Sequence, residues 1–376
     1  MECTNDTHLA LINSTYKIPT TIKKCDNVVL SKMGPRIIQV GPYPMKWEFE
    51  NGETTQETSA NQKTSEPCLK PLRDSSHLIR EYGNEESRKL AQKLLCERFN
   101  ADGYLFIRGL IDREVVLKAR QFLLEDFAKV GGILDPERNL EEGVLLPRCG
   151  LGCVPYLEGR NETTNHPLVK EVLENVKLKE FFENYIFGEE VLTFDFKWLR
   201  VMPRETFTGV HVDNVYMSRG TKKLVTTWIP FGDVPMEMGT VAVCEGSHRL
   251  PGFKKFQDTY AELDTEAEKG FEGSGWFTED PTEITSNFGG QWRSSDFQAG
   301  DVLLFGMRTA HMSTKNMTDK ARISCDVRWQ PASEPADPRY VGKGKPSKQG
   351  GAYASDEKKA TTDIVTMSDL RKKWDI

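Results

Sequence analysis

No apolar run in the 376 residues reaches the roughly 18 that a membrane-spanning helix needs, so no span is expected. The first residues, MECTNDTHLALINSTYK, lack a basic stretch followed by an apolar core, and the last, KKWDI, are not an SKL-type address. A cytoplasmic protein is expected. There is no basic surplus either: the net charge is −6, which argues against nucleic acid or an anionic membrane as the main partner. The eight cysteines are scattered and form no disulfide framework. Cys149 and Cys153, in PRCGLGC, have no second Cys or His pair nearby and read as ordinary thiols. Histidine is scarce, with six in the whole chain, so candidate metal ligands are few.

Hydrophobic residues make up 38% and charged residues 28%, enough for a packed core under a polar surface. Residues 1–80 read as an irregular N-terminal extension, with the polar stretch 51–67 as a flexible loop. Residues 81–335 read as one domain. It opens with a helix over 86–98 carrying Leu90, Leu94 and Leu95, then a strand over 103–109. A second helix follows, N-capped by Asp112, and a third runs from about His166 to Tyr185. From Val191 onward short strands dominate: VLTFDFKWLRVM, FTGVHVDN, KLVTTWIPF, GTVAVCE, DVLLFG and RISCDVRW. Helices followed by about eight strands predict a mainly β fold with flanking helices, a jelly roll buttressed by N-terminal helices. Residues 251–298 read as an insertion, either a lid or a surface excursion. Residues 336–376 read as a tail ending in a short helix, with Ser368 as its cap and Leu370 and Trp374 docking it.

Within GVHVDN, His211 and Asp213 sit two apart in a strand-like run, so their side chains share a face. Alone the pair is weak. His311, just beyond the strand DVLLFG, is the candidate third ligand; His248, in CEGSHR, reads instead as a structural histidine tying a turn. Two histidines and one carboxylate with open opposite positions favour Fe(II) that binds oxygen and an organic co-substrate; zinc is the rival. Arg322 begins the last strand eleven residues after His311, and Ser324 shares its face. A guanidinium and a hydroxyl there can hold the distal carboxylate of a keto acid.

Ordered motifs extend the pattern: His211-Val212-Asp213, Trp228, Gly246-Ser247-His248, Gly300-Asp301-Val302-Leu303-Leu304-Phe305, His311, Asn316 and Arg322. From about residue 100 to 330 the chain resembles the phytanoyl-CoA dioxygenase family of Fe(II)/2-oxoglutarate oxygenases. The resemblance implies a double-stranded β-helix (cupin-like) core, with Fe(II) on His211, Asp213 and His311. It also implies 2-oxoglutarate as co-substrate beside Arg322, Ser324, Ser313 and Trp228, and O2 as oxidant. Succinate and CO2 would be released as a small organic substrate is oxidised at a C–H bond. MPRETFTG replaces the family's usual Pro-Gly before H-x-D, Val212 stands where glutamine is frequent, and Glu245 stands before the G-S-H turn where proline is frequent. In related halogenases the metal carboxylate is lost; Asp213 is present, so hydroxylation or another radical oxidation is expected over chlorination.

Substrate contacts are expected from strands beside the metal: Lys197, Trp198 and Arg200 before H-x-D, Asn214, Tyr216 and Arg219 after it, and Arg328 on the face of Arg322. These cations point to an anionic substrate, or they pair with Asp195, Glu205 and Asp326 in ordinary surface bridges, the simpler reading. Two other functions stay open, a peptide or protein hydroxylase and a non-catalytic β-barrel binding module. The substrate and the oligomeric state are not legible.

Overall fold

The computed structural model describes residues 36–47, 68–80, 84–147, 161–342 and 364–376. The expected loop 51–67 and Cys149 and Cys153 lie outside the described residues. Residues 37–376 form one compact unit; of residues 1–36 only Arg36 is described.

Two six-stranded sheets carry the architecture. The first runs β1 (Arg36–Val40), β2 (Tyr43–Trp47), β3 (Cys68–Pro71), then β9 (Gln291–Ser294), β8 (Val241–Glu245) and β11 (His311–Ser313). The second runs β4 (Tyr104–Ile107), β10 (Val302–Gly306), β7 (Val225–Pro230), β12 (Arg322–Pro331) and β5 (Val191–Thr193), with β6 (Trp198–Met202) also paired to β12. Most pairings are antiparallel; β2–β3 and β3–β9 are parallel. Strand alternation sorts the side chains. Val241 and Val243 of β8 meet Trp228, Leu303 and Phe305 of the second sheet in one apolar cluster, so the sheets pack face to face. This is the mainly β, jelly-roll core that the sequence predicts.

The outer faces are covered separately. Leu304, Ile323, Cys325 and Val327 pack against Leu95, Val116, Ala119 and Phe127 of helices Glu85–Asp102 and Arg113–Val130. Ala242, Trp292 and Met312 of the first sheet pack against Phe253, Phe256 and Tyr260. Each of these six side chains is at most 1% exposed, so the 251–298 segment is a packed part of the body, and it supplies strand β9.

Several local expectations change. The N-terminal stretch expected to be irregular contributes β1, β2 and β3, strands short enough to escape a periodicity reading. Leu90 is 50% exposed, while Leu95 faces the core as expected and Ala91 joins it there. Asp112 precedes its helix without a side-chain cap, because its carboxylate takes Lys177 Nζ at 2.7 Å. The third helix breaks at Asn175, whose side chain caps Lys177 N at 3.0 Å and restarts the chain as Val176–Phe181. FTGVHVDN is no strand: Val210 and His211 make isolated bridges, and Asp213–Val215 is a 3-10 turn. In the last helix, Met367–Trp374, the cap is Thr366, boxed with Asp369, and Ser368 lies inside the helix. Leu370 is 2% exposed and joins the apolar cluster that contains Val212, with Trp374 packed against it. No helix among the described residues is long and apolar enough to cross a membrane.

Candidate metal centre

His211 and His311 come together as partners in an isolated antiparallel bridge. Each backbone N–H donates to the other's carbonyl at 2.9 Å, the pairing that sets opposed side chains side by side. Their ring centroids are 4.1 Å apart. The bridge requires the chain before it to pass close under its neighbours, and glycine permits that. A Cβ on Gly209 would lie 2.7 Å from the Trp276 ring and 2.9 Å from the Thr278 carbonyl.

Both imidazoles have a defined tautomer. His211 Nδ1 lies 2.8 Å from the Gly209 carbonyl and His311 Nδ1 3.0 Å from the Thr309 carbonyl. A carbonyl can only accept, so each Nδ1 carries the proton and each Nε2 presents a lone pair. Burial, reinforced by the neighbouring His311, pushes the His211 imidazole down to about 3, and burial lowers His311 as well. Both rings are therefore neutral near pH 7, as metal ligation requires.

Asp213 enters from the 3-10 turn. Its Oδ1 is 3.9 Å from His211 Nε2 and 3.8 Å from His311 Nε2. Its Oδ2 accepts from Thr226 Oγ1 at 2.5 Å and from Arg328 Nη2 at 3.0 Å. Burial would raise this carboxyl, but Arg328, the two histidines and the Thr226 hydroxyl together hold it well below the usual carboxylate range. One oxygen is thus tied to the second sheet and the other faces the imidazoles. Among the described residues this is the one group of three His, Cys, Asp or Glu side chains with ligand atoms gathered within 4.8 Å. Two neutral nitrogens and one anionic oxygen on one side fit a facial two-histidine, one-carboxylate site for Fe(II).

Two cavities flank the triad, sharing His211, Asp213, Thr208, Arg200 and Arg328. One is lined further by His311, Trp228, Ser313 and Arg322. Arg322 is 2% exposed, donates to Ser324 Oγ, and lies with its guanidinium carbon 5.7 Å from the Trp228 ring centroid. A buried guanidinium with a hydroxyl beside it, opening on the same space as the triad, fits a dicarboxylic keto acid. Ser313 Oγ accepts from Thr208 N at 2.8 Å. The other cavity is lined further by Trp198, Tyr216, Met217 and Tyr340.

The strand β12 explains how one segment serves both core and site. Ile323, Cys325, Val327 and Trp329 face the helices, while Arg322, Ser324, Asp326 and Arg328 face inward. Arg200 Nε pairs with Asp326 at 2.8 Å, with both side chains under 15% exposed; this is a buried pair and not the surface bridge expected.

Three expected substrate residues are elsewhere engaged. Lys197 is buried, donating to Thr193 Oγ1 at 2.9 Å and facing Glu174 at 3.4 Å, away from both cavities. Asn214 donates to the Ala261 carbonyl at 2.6 Å. Arg219 pairs with Asp264 at 2.7 Å and Glu266 at 3.3 Å. The last two, with Tyr216 on the Ser274 carbonyl at 2.7 Å, fasten the 251–298 segment to the chain after Asp213. Trp198, Arg200, Tyr216 and Arg328 do line the cavities. Thr226 and Tyr340 escaped the sequence reading. Thr226 shares a strand face with Trp228, a signal that was there; Tyr340 comes from a loop after the last strand and left none. His248 is a tie, its Nε2 2.9 Å from the Asn100 carbonyl.

The phytanoyl-CoA dioxygenase (PhyH) family model matches residues 99–324. The chain is similar to the 1-deoxypentalenic acid 11-beta-hydroxylase of Streptomyces exfoliatus, 26% identical over 247 residues, spanning 62% of this chain and 80% of that protein. The hydroxylase of the same name from Streptomyces arenae is 27% identical over 258 residues, with the same coverage. Among solved structures, the epimerase SnoN in complex with Fe3+, alpha ketoglutarate and nogalamycin RO is 22% identical with a TM-score of 0.45, covering 70% of this chain and 95% of that one. EctD from S. alaskensis with 2-oxoglutarate and 5-hydroxyectoine is 17% identical with a TM-score of 0.44, covering 79% and 96%.

Proposed function

Since the chain belongs to the phytanoyl-CoA dioxygenase family, and is an Fe(II)- and 2-oxoglutarate-dependent oxygenase acting on a small molecule, we propose that it hydroxylates an anionic organic substrate, with His211, Asp213 and His311 as the iron ligands. The observation that carries the assignment is the convergence of two Nε2 lone pairs and Asp213 Oδ1, with every opposite atom of the three side chains already engaged. That the relatives are named for hydroxylation of a carboxylic acid supports the choice of reaction and of substrate charge.

When bound, iron and the keto acid supply an oxidant able to take hydrogen from an unactivated carbon, consuming O2 and releasing succinate and CO2. The chain's own residues place the partners. Arg322 and Ser324 hold the distal carboxylate of 2-oxoglutarate, and Trp228 and Ser313 close the cavity around it. Gly209 and Thr309 carbonyls keep the imidazoles turned, and Thr226 and Arg328 hold Asp213 Oδ2 so that Oδ1 stays turned toward the imidazoles. Trp198, Tyr216 and Met217 form the wall against which a substrate C–H is positioned and from which water is excluded.

The test is anaerobic addition of Fe(II) and 2-oxoglutarate, which should give a weak visible charge-transfer band that His211→Ala abolishes. Succinate release is then screened against carboxylic acids, amino acids, terpenoids and acyl-CoA esters. Absence of the band in the native protein would refute the ligand assignment.

A further inference from the structure

Arg328 has more donors than partners. It is 2% exposed, its Nη2 bonds Asp213, and its Nε and Nη1 are buried with no hydrogen-bond partner among the described residues. Buried guanidinium donors left unmade are costly, so such groups are usually satisfied by something. The phenol of Tyr340 is in the same position: the residue is 3% exposed and its hydroxyl has no partner among the described residues. Both side chains line the cavity on the Trp198 side of the triad. They are held together by Trp198, whose ring lies 4.5 Å from the Arg328 guanidinium carbon and 5.1 Å, edge to face, from the Tyr340 ring. Phe194 stacks on the other side of Tyr340 at 5.5 Å.

The charge balance of the two cavities points the same way. Arg200, Arg322 and Arg328 line them against two carboxylates, Asp213 and Asp326. With neutral imidazoles, a divalent ion and a dianionic keto acid cancel each other. One positive charge is left over in a buried space, and one anionic group would neutralise it.

We propose that Arg328 Nη1 and the Tyr340 hydroxyl form a carboxylate-binding subsite for the substrate, so that this enzyme selects organic acids over their neutral esters. The proposal rests on the oxygenase reading above. It assigns Arg328 a bridging place: Nη2 holds the metal-ligand carboxylate and Nη1 holds the substrate's. The acid group is thereby fixed next to the iron site, and the carbon to be oxidised must lie within a short reach of it. Tyr340 adds a neutral donor, since burial, only partly opposed by Arg339, keeps its phenol protonated.

The experiment uses the anaerobic holoenzyme loaded with Fe(II) and 2-oxoglutarate. Matched pairs of small cyclic acids and their methyl esters (cyclohexanecarboxylate, phenylacetate and a decalin carboxylate) are titrated while the visible band is followed. At least one acid should perturb the band with an affinity about tenfold or more above that of its ester. Tyr340→Phe retains the ring that packs on Phe194 and Trp198; it should keep the unperturbed band and lose most of the acid preference. Esters binding as well as acids, or Tyr340→Phe keeping the full preference, would overturn the subsite while leaving the metal centre standing. Loss of the band in the native protein would instead remove the oxygenase reading, and the subsite with it.

Discussion

Arg328 donates to the oxygen of Asp213 that points away from the imidazoles, across 3.0 Å between two groups that are both almost fully buried. The bond joins the middle of the second sheet to the turn that carries the metal carboxylate. Breaking it leaves a buried charge with fewer partners, a loss on the order of 3–5 kcal/mol. Arg328→Met should therefore weaken Fe(II) binding about 10- to 100-fold, measured by competition with a chelator, and lower the melting temperature of the metal-free protein. Thr226→Val removes one hydrogen bond to the same oxygen and should have the same sign and a smaller size. Unchanged iron affinity in both variants would mean that Asp213 needs no positioning.

Arg322 should separate from this behaviour. A lysine keeps the charge but not the planar fork. Arg322→Lys is expected to raise the KM for 2-oxoglutarate at least about tenfold while the Fe(II) affinity of the protein without keto acid stays near native. A fall in both affinities together would indicate a structural role for the arginine, which packs over Trp228.

Gly209→Ala puts a methyl group into the Trp276 ring and the Thr278 carbonyl. The extended segment must move, and the reciprocal His211–His311 bridge moves with it. A destabilisation of about 1–3 kcal/mol is expected. Iron occupancy should fall more than the melting temperature alone explains, as followed by metal analysis after gel filtration.

Leu370→Ala tests the terminal helix. The side chain is 2% exposed, and its loss should cost about 2–5 kcal/mol if the helix folds with the body. Calorimetry should then show one transition shifted downward. A native main transition with a separate early one would mean that the helix melts alone.

The two-histidine, one-carboxylate set and Arg322 were legible because their chemistry limits the choice: six histidines, one H-x-D and, on the strand after His311, an arginine followed two positions on by a serine. The way the ligands meet was not legible. Side-chain alternation along a strand suggested that His211 and Asp213 share a face, whereas the chain leaves the extended form at Asp213, and the true pairing is between His211 and His311, a hundred residues apart. Alternation was right for β12, where five polar residues at even positions could only be read as a buried face because Arg322 stood at their head. Charge alone did not sort the cations: Arg200 and Arg328 line the cavities, whereas Lys197 and Arg219 pair with Glu174 and Asp264. Partners on distant segments decide such cases, and a single sequence does not order them. Tyr340 is the same problem from the other side, since nothing local marks a loop tyrosine that folds back onto a tryptophan 142 positions earlier.

The parallel pairing of β3 with β9 has a temporal meaning. Lys70 lies opposite Arg293, and Gln291 Nε2 donates to the Cys68 carbonyl across 223 positions of sequence. During synthesis β3 must wait for more than two hundred further residues before its partner exists. A ribosome-bound chain therefore carries that strand with an unpaired edge through most of translation, and contacts of such long loop closure form slowly. The first sheet is assembled late, around strands made near the end, and any pause before Gln291 extends the time in which β3 can pair with the wrong chain.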